Sequence, residues 1–197
     1  MPERQQAVSR SSLPRAGQKT SAIPEKQQTR LGLYVTAPQA YELQMTQPRH
    51  TSIIDVRTPE EYLFVGHVET ARNLPLVFLT YQWDTQRNEP LTEPNPNFVP
   101  RVMSLYSRTD TLLLMCRSGE RSARAVDALA DAGFENVHNV LDGMEGGLVD
   151  DPHSAYHGKR MKNGWKNAGL PWTYDLDAHL TWSTDRPGEL QGEAPRV

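Results

Sequence analysis

Three short strand-like runs stand out in a chain that is otherwise rich in polar residues. They are the β-branched residues 51–56, the apolar residues 111–115, and residues 137–141, and residues 71–74 form a shorter strand-like run. The three longer runs are too short for a typical helix and lack the alternation of a half-exposed strand. They therefore predict strands of a parallel sheet that is buried on both faces.

Helix-start signals precede and follow the first of these strands. Thr36 is placed to cap a helix that has Pro38 in its first turn. Thr58 repeats the pattern, with Pro59 at the first helical position and Glu61 three residues after the threonine. A threonine followed at this spacing by glutamate is a capping box, so we predict a helix at each position.

Helical spacing returns on both sides of the second apolar strand. Residues 98–107 predict one helix, and Ala125, Val126 and Leu129 lie on one face of another that Gly133 ends. Strands that alternate with amphipathic helices predict an α/β domain with a largely parallel central sheet.

The ends of the chain differ in composition from its middle. Residues 1–30 are rich in Gln, Ser, Arg and Pro and predict a disordered or loosely attached arm, whereas 31–172 form the domain and 173–197 a tail. Within the domain, the turn-rich residues 82–97 predict an exposed loop, and residues 148–163 have the polar character of an insertion.

Composition and charge exclude several classes of function. A net charge of −3 gives no basic surface for nucleic acid. No apolar run is long enough to cross a membrane, and the first residues lack the apolar core of a secretory signal. The cytoplasm is the default expectation, with the periplasm open to a chain whose signal has been removed. One cysteine in the whole sequence excludes an internal disulfide and a multi-cysteine metal site.

That cysteine, Cys116, follows the second apolar strand and precedes a predicted helix, and ligands of open α/β sheets bind at this end of the strands. Arg117, Arg121 and the start of the helix favour a thiolate, and Gly119 permits a tight turn whose N–H groups bind an anion. Ser122 is a candidate helix cap or a donor to that anion. A cysteine after an apolar strand is more often a small core residue, but the polar neighbours here favour a reactive thiol.

With its neighbours, this loop resembles the active-site loop of single-domain rhodanese-like sulfurtransferases. The resemblance covers about residues 33–172 and includes the order and spacing of further motifs, namely residues 55–62, Gly66-His67-Val68, 71–75, 141–144 with Gly146-Gly147, Gly164-Trp165-Lys166 and 168–171. Two departures are an extended proline-rich stretch before the cysteine strand and about 16 residues between the double glycine and Gly164-Trp165. Both insertions could shape the pocket mouth.

The resemblance implies a three-layer fold with a central, mostly parallel five-stranded sheet, and it implies sulfur transfer without a cofactor or metal. Cys116 would take sulfur from a small anionic donor such as thiosulfate, become a persulfide, and pass the sulfur to cyanide, a thiol or a protein cysteine. The loop residues that would bind the donor and stabilise the persulfide are Arg117, Ser118, Gly119, Glu120, Arg121 and Ser122.

Other polar residues near the motifs are expected to have structural roles. Asp55 and Arg57 follow the first strand and predict a hydrogen-bonded strand–helix junction, and His67 is expected to pack or hydrogen-bond beneath the loop. His153 and His157 are four residues apart but lack the context of a metal motif, so a solvated pair is expected.

Two other functions stay open at this stage. Cysteine-dependent phosphatases and arsenate reductases need one more residue between cysteine and arginine than the four found between Cys116 and Arg121. A non-enzymatic persulfide carrier or binding module would have the same loop, with the two insertions as docking surfaces.

Overall fold

The computed structural model describes residues 23–184. Its strands are β1 (Tyr34–Val35), β2 (Thr51–Asp55), β3 (Arg72–Asn73), β4 (Val77–Asp84), β5 (Glu89–Pro94), β6 (Thr111–Met115) and β7 (Val137–Val140). Its helices are α1 (Ala37–Thr46), α2 (Pro59–Val65), α3 (Phe98–Leu105) and α4 (Glu120–Asp131), preceded by a 3₁₀ turn over Glu25–Gln27. No helix among these is long and apolar enough to cross a membrane.

Five strands form the central sheet in the order β1-β7-β6-β2-β3, and every neighbouring pair is parallel. Successive residues of β6 point to opposite faces, as the strand geometry requires. Leu112 and Leu114 pack against α3 and α4, whereas Leu113 and Met115 pack on the side of α1 and Trp165. The predicted three-layer α/β fold is therefore confirmed. Cys116 continues the row of Leu112 and Leu114 and so lies on the α3 and α4 side.

The predicted N-cap at Thr36 and the predicted capping box at Thr58 are both present, and Thr36 forms a capping box as well, with Gln39. The Thr36 side chain accepts the N–H of Gln39, and the Thr58 side chain accepts the N–H of Glu61 at 3.3 Å. Glu61 in turn accepts the Thr58 N–H at 3.1 Å. A cap of this kind stabilises a helix by about 1 kcal/mol. Because Glu61 is fixed at the first turn of α2, which follows β2 in the chain, its carboxylate has a defined position.

The prediction of an irregular loop over residues 82–97 is wrong, although the segment is exposed as expected. Strands β4 and β5 pair there as an antiparallel hairpin separate from the central sheet. Its turn is closed by the Asp84 carboxylate, which accepts the N–H groups of Gln86 and Arg87. The prolines of β5 are typical of turns, and for this reason the sequence pattern predicts a loop where the structure has a strand. Proline is compatible with an edge strand because an edge leaves N–H positions that need no partner.

The described parts of both flanks contact the domain. The backbone N–H of Arg30 donates to the side-chain carboxylate of Asp127 on α4 at 2.9 Å. At the other flank, the carbonyl of Leu180 accepts the N–H of Asn73 at the open edge of β3. Trp182 packs against Phe78 with the ring centres 5.5 Å apart. The division into arm, domain and tail stays a prediction, and residues 1–22 and 185–197 lie outside the described residues.

Candidate active site

The loop that follows β6 turns sharply into α4 at Gly119. Gly119 is the residue that caps the helix, and its φ of 90° lies in the left-handed region. A Cβ atom there would lie 2.2 Å from the carbonyl oxygen of Leu141, so no other residue fits without a shift of the backbone. The alternative that Ser122 caps the helix is wrong, because Ser122 lies inside the first turn of α4.

Two groups approach the sulfur of Cys116, a residue that is only 1% exposed. The Gly119 N–H donates to Sγ at 3.2 Å, and the Ser122 Oγ lies 3.4 Å away. The same hydroxyl is 2.7 Å from Oδ1 of Asn139. A hydroxyl has one proton to donate, and the shorter contact takes it. The defined hydrogen-bond donor to the sulfur is therefore a backbone N–H at the start of a helix.

Arg121, one of the two loop cations, is already paired. Its guanidinium forms two hydrogen bonds of 2.6 Å with the carboxylate of Glu61 on α2. Burial lowers the pKa of Arg121, but the hydrogen bonds and charge of Glu61 outweigh it and the net direction is upward. The same partnership holds the pKa of Glu61 below its ordinary value although burial opposes this. No local pattern in the sequence indicates that Glu61 contacts Arg121.

Arg117 behaves differently from Arg121. Its side chain is exposed, and within residues 23–184 it has no ion pair. Its carbonyl oxygen accepts the N–H groups of Glu145 and Gly146 at 3.0 and 3.1 Å, and the carbonyl of Cys116 accepts that of Met144 at 2.8 Å. The glycine-containing stretch after β7 thus fixes the backbone of the loop while leaving the Arg117 guanidinium in solvent.

Two residues that the sequence analysis did not single out support the loop from outside. The Gln27 side-chain amide donates to the carbonyls of Ser118 at 2.7 Å and Leu141 at 3.1 Å. The Asn139 amide donates to the carbonyls of Gln27 and Gly119 at 3.0 and 3.1 Å. Gln27 lies in the segment predicted to be a loose arm, and nothing in the local pattern marks it as a contact of the loop.

Asp55 and Arg57 form a buried pair at the end of β2. Both side chains are fully buried, and Nη2 of Arg57 lies 2.7 Å from Oδ2 of Asp55. The same nitrogen donates to the carbonyl of Gly66 at 2.8 Å, which joins the strand end to the end of α2. Burial lowers the pKa of Arg57, but Asp55 more than compensates and the net direction is upward.

His67 is also buried, one residue after Gly66. Its Nδ1 lies 3.2 Å from the carbonyl of Tyr62, and its Nε2 lies 3.1 Å from the carbonyl of Asp175. Its ring stacks on that of Tyr62 with centres 3.8 Å apart. These contacts hold α2 and the segment after residue 172 together. Their effect on the site stays a prediction, as do the roles of Asp55 and Arg57.

The two histidines of the 148–163 segment are exposed. Val149 and His157 form an isolated bridge through their backbones. Among residues 23–184, no group of three or more His, Cys, Asp or Glu side chains is arranged to hold a metal ion.

Comparison with known proteins shows which family the chain is similar to. The family model described as the rhodanese-like domain matches residues 36–148. The chain is 32% identical over 124 residues to uncharacterized protein RP600 of Rickettsia prowazekii. This alignment covers 62% of this chain and 82% of that protein. It is 31% identical over 117 residues to thiosulfate sulfurtransferase 16, chloroplastic, of Arabidopsis thaliana, covering 59% and 88% of the two chains.

A solved structure extends the similarity to the fold. The crystal structure of Rv0390 from M. tuberculosis superimposes with a TM-score of 0.56 at 28% identity. The match covers 72% of this chain and 96% of that one.

Proposed function

Because the chain belongs to the rhodanese-like domain family, we propose that it is a sulfurtransferase that carries sulfur as a persulfide of Cys116. The observation that supports this most directly is the environment of the sulfur. Sγ accepts the Gly119 N–H at the first turn of α4 and lies beside Ser122. A helix start and oriented N–H groups favour an anion at that point, whether thiolate or persulfide.

The proposed reaction has two balanced steps. The Cys116 thiolate attacks the outer sulfur of thiosulfate, the S–S bond of thiosulfate breaks, and sulfite leaves with the bonding electron pair. The product is a persulfide anion on Cys116. Cyanide or a thiolate then attacks the terminal sulfur, and the electron pair of the persulfide bond returns to Sγ as thiolate. This is covalent catalysis by a single activated nucleophile.

The first loop cation is suited to the donor. Arg117 is exposed beside the nucleophile and can attract a dianion such as thiosulfate. Arg121 is held by Glu61 and contributes its charge from a fixed position. The loop N–H groups would stabilise the persulfide once it has formed.

A phosphatase or arsenate reductase is less well supported. Such a site needs a free arginine that clamps a tetrahedral oxyanion with two hydrogen bonds. Here both oxygens of Glu61 already bind the Arg121 guanidinium at 2.6 Å, and the loop has four residues between cysteine and arginine. An assay with a small aryl phosphate should therefore release no phosphate under conditions in which thiosulfate and cyanide yield thiocyanate.

Intact-mass measurement tests the proposal directly. After incubation with thiosulfate and desalting, we expect the wild-type protein to gain the mass of one sulfur atom and to lose it on addition of cyanide. The Cys116→Ser variant should gain nothing. Absence of an adduct with thiosulfate and with polysulfide would overturn the proposal. An adduct that neither cyanide nor small thiols remove would favour a carrier that depends on one protein partner.

A further inference from the structure

The 148–163 insertion leaves the domain and returns to it at one point beside the active-site loop. Gly146 and Gly164 approach so closely that a Cβ on Gly164 would lie 2.5 Å from the Gly146 nitrogen. Asn163 accepts the N–H of Gly147 through its side chain at 2.8 Å. The two ends of the insertion are therefore held together, next to the residues that hydrogen-bond to the backbone of Arg117.

This anchoring brings Arg160 of the insertion to the site. Its Nη1 donates to the carbonyl of Gly146 at 2.8 Å, and the N–H of Gly146 donates to the carbonyl of Arg117. Burial and the charge of Arg117 lower the pKa of Arg160, against the opposing charges of Glu145, Glu120 and Cys116. The guanidinium thus lies within the electrostatic reach of the loop charges and of the nucleophile.

Arg160 differs from the neighbouring cations in its partners. Arg121 is neutralised by Glu61, and Lys162 lies 3.4 Å from a carboxylate oxygen of Asp150. Across the described residues, Arg160 has no carboxylate within ion-pair distance. A partly buried guanidinium that has donors to spare is well suited to a planar carboxylate.

A cleft of about 680 Å³ opens beside this guanidinium. Its walls come from three parts of the chain, represented by Ile23 and Gln27, Ser118 and Glu120, and Leu148 and Arg160. Clefts of this volume hold organic molecules of some size, whereas thiosulfate is far smaller. Because Ser118 and Glu120 belong to the loop that holds Cys116, a molecule in the cleft lies against that loop.

We propose that this cleft is the subsite for the sulfur acceptor, and that Arg160 binds a carboxylate of an acidic thiol. The inference rests on the proposed sulfur transfer. The acceptor sulfur would bond to the terminal sulfur of the Cys116 persulfide, and the persulfide S–S bond would break with its electron pair left on Sγ. The proton of the acceptor thiol ends on the new persulfide, so charge and atoms balance.

Measuring the two half-reactions separately tests this assignment. The protein is loaded with thiosulfate, desalted, and mixed with 3-mercaptopropionate or with 2-mercaptoethanol, and persulfide loss is followed by intact mass. We expect Arg160→Gln to lower the rate ratio of the acidic to the neutral thiol about fivefold, as expected for loss of one charge contact of about 1 kcal/mol. Arg160→Lys should retain part of the preference, and Glu120→Gln should increase it.

Lys159→Gln is the matched control, since Lys159 is an adjacent exposed cation that does not line the cleft. It should leave the ratio unchanged. Equal losses for the acidic and the neutral thiol in Arg160→Gln, or a loss confined to loading by thiosulfate, would overturn the assignment. If the wild-type protein forms no persulfide at all, the proposed function itself fails, and this outcome is distinct from an unchanged ratio in a protein that loads normally.

Discussion

Two arginine–carboxylate pairs lie near Cys116, and they differ in burial and in what they connect. Arg57 and Asp55 are two residues apart and fully buried at the end of β2. Arg121 and Glu61 are 60 residues apart in sequence, join α4 to α2, and keep 22% of each side chain exposed. One pair closes a local junction, whereas the other links the loop helix to a neighbouring helix.

This difference in burial predicts different consequences when each pair is broken. A fully buried charge that loses its partner is costly because water cannot replace the lost interaction. Arg57 is already incompletely satisfied, since its Nη1 is buried without a hydrogen-bond partner among residues 23–184. A pair that keeps part of each side chain exposed is partly solvated on its own, so breaking it costs less stability and changes the electrostatic potential of the site more. We therefore expect the first pair to control folding and the second to control chemistry.

The largest expected effect is on stability, at the buried pair. Asp55→Asn leaves the Arg57 charge without a counter-ion, and we expect the free energy of unfolding to fall by about 3–5 kcal/mol. Urea unfolding followed by tryptophan fluorescence measures this. Asp150→Asn is the control, because Asp150 pairs with Lys162 at the surface with 84% of its side chain exposed, and a pair in full contact with water contributes little to stability. Equal losses in the two variants would show that burial does not separate these pairs.

The next effect is on donor loading, at the second pair. Glu61→Gln removes the charge that neutralises Arg121, while glutamine retains the capping geometry of α2. We expect the KM for thiosulfate to fall roughly fivefold, equivalent to about 1 kcal/mol from one charge near the site. Glu60→Gln is the matched control, because the neighbouring Glu60 binds the Tyr81 hydroxyl and not Arg121. A higher KM in Glu61→Gln alone would mean that the carboxylate serves to position Arg121.

The two pairs also show what a single sequence can and cannot predict. Asp55 and Arg57 are neighbours in the chain, and the junction they form could be predicted from the strand that ends there. The β6 strand, the Thr36 cap and the Thr58 capping box were predicted for the same reason, since each depends on residues a few positions apart.

Contacts between distant segments were not predictable from one sequence. The Glu61–Arg121 pair, the contact of Gln27 with Ser118 and the approach of Arg160 to the loop all join residues far apart in the chain. No local pattern encodes them, because they depend on how α2, α4 and the insertion pack. The hairpin of β4 and β5 was missed for a different reason, since proline and turn residues outweighed its strand character.

The smallest expected effect is a pH dependence specific to the second pair. Arg121 holds the pKa of Glu61 below its ordinary value of 4.5, so Glu61 binds fewer protons in the folded than in the unfolded state. A carboxylate of this kind contributes stability above its unfolded pKa and loses it as the pH falls through its folded pKa. We expect Glu61→Gln to be less stable than the wild type by on the order of 1 kcal/mol at pH 7. The difference should shrink as the pH falls from 4.5 through the lower folded pKa of Glu61, below which the wild-type carboxylate is protonated as well.

Urea unfolding of the wild type and of Glu61→Gln at a series of pH values between neutrality and acid measures this difference, and groups that titrate equally in both proteins cancel. Glu60→Gln again serves as the control and should show no such convergence. A difference between the wild type and Glu61→Gln that stays constant through the acid range would mean that the pair acts through shape and hydrogen bonding alone. In that case the contrast with the Arg57–Asp55 pair would be one of packing, and the charge on Glu61 would have no part in fixing the helix that carries Arg121.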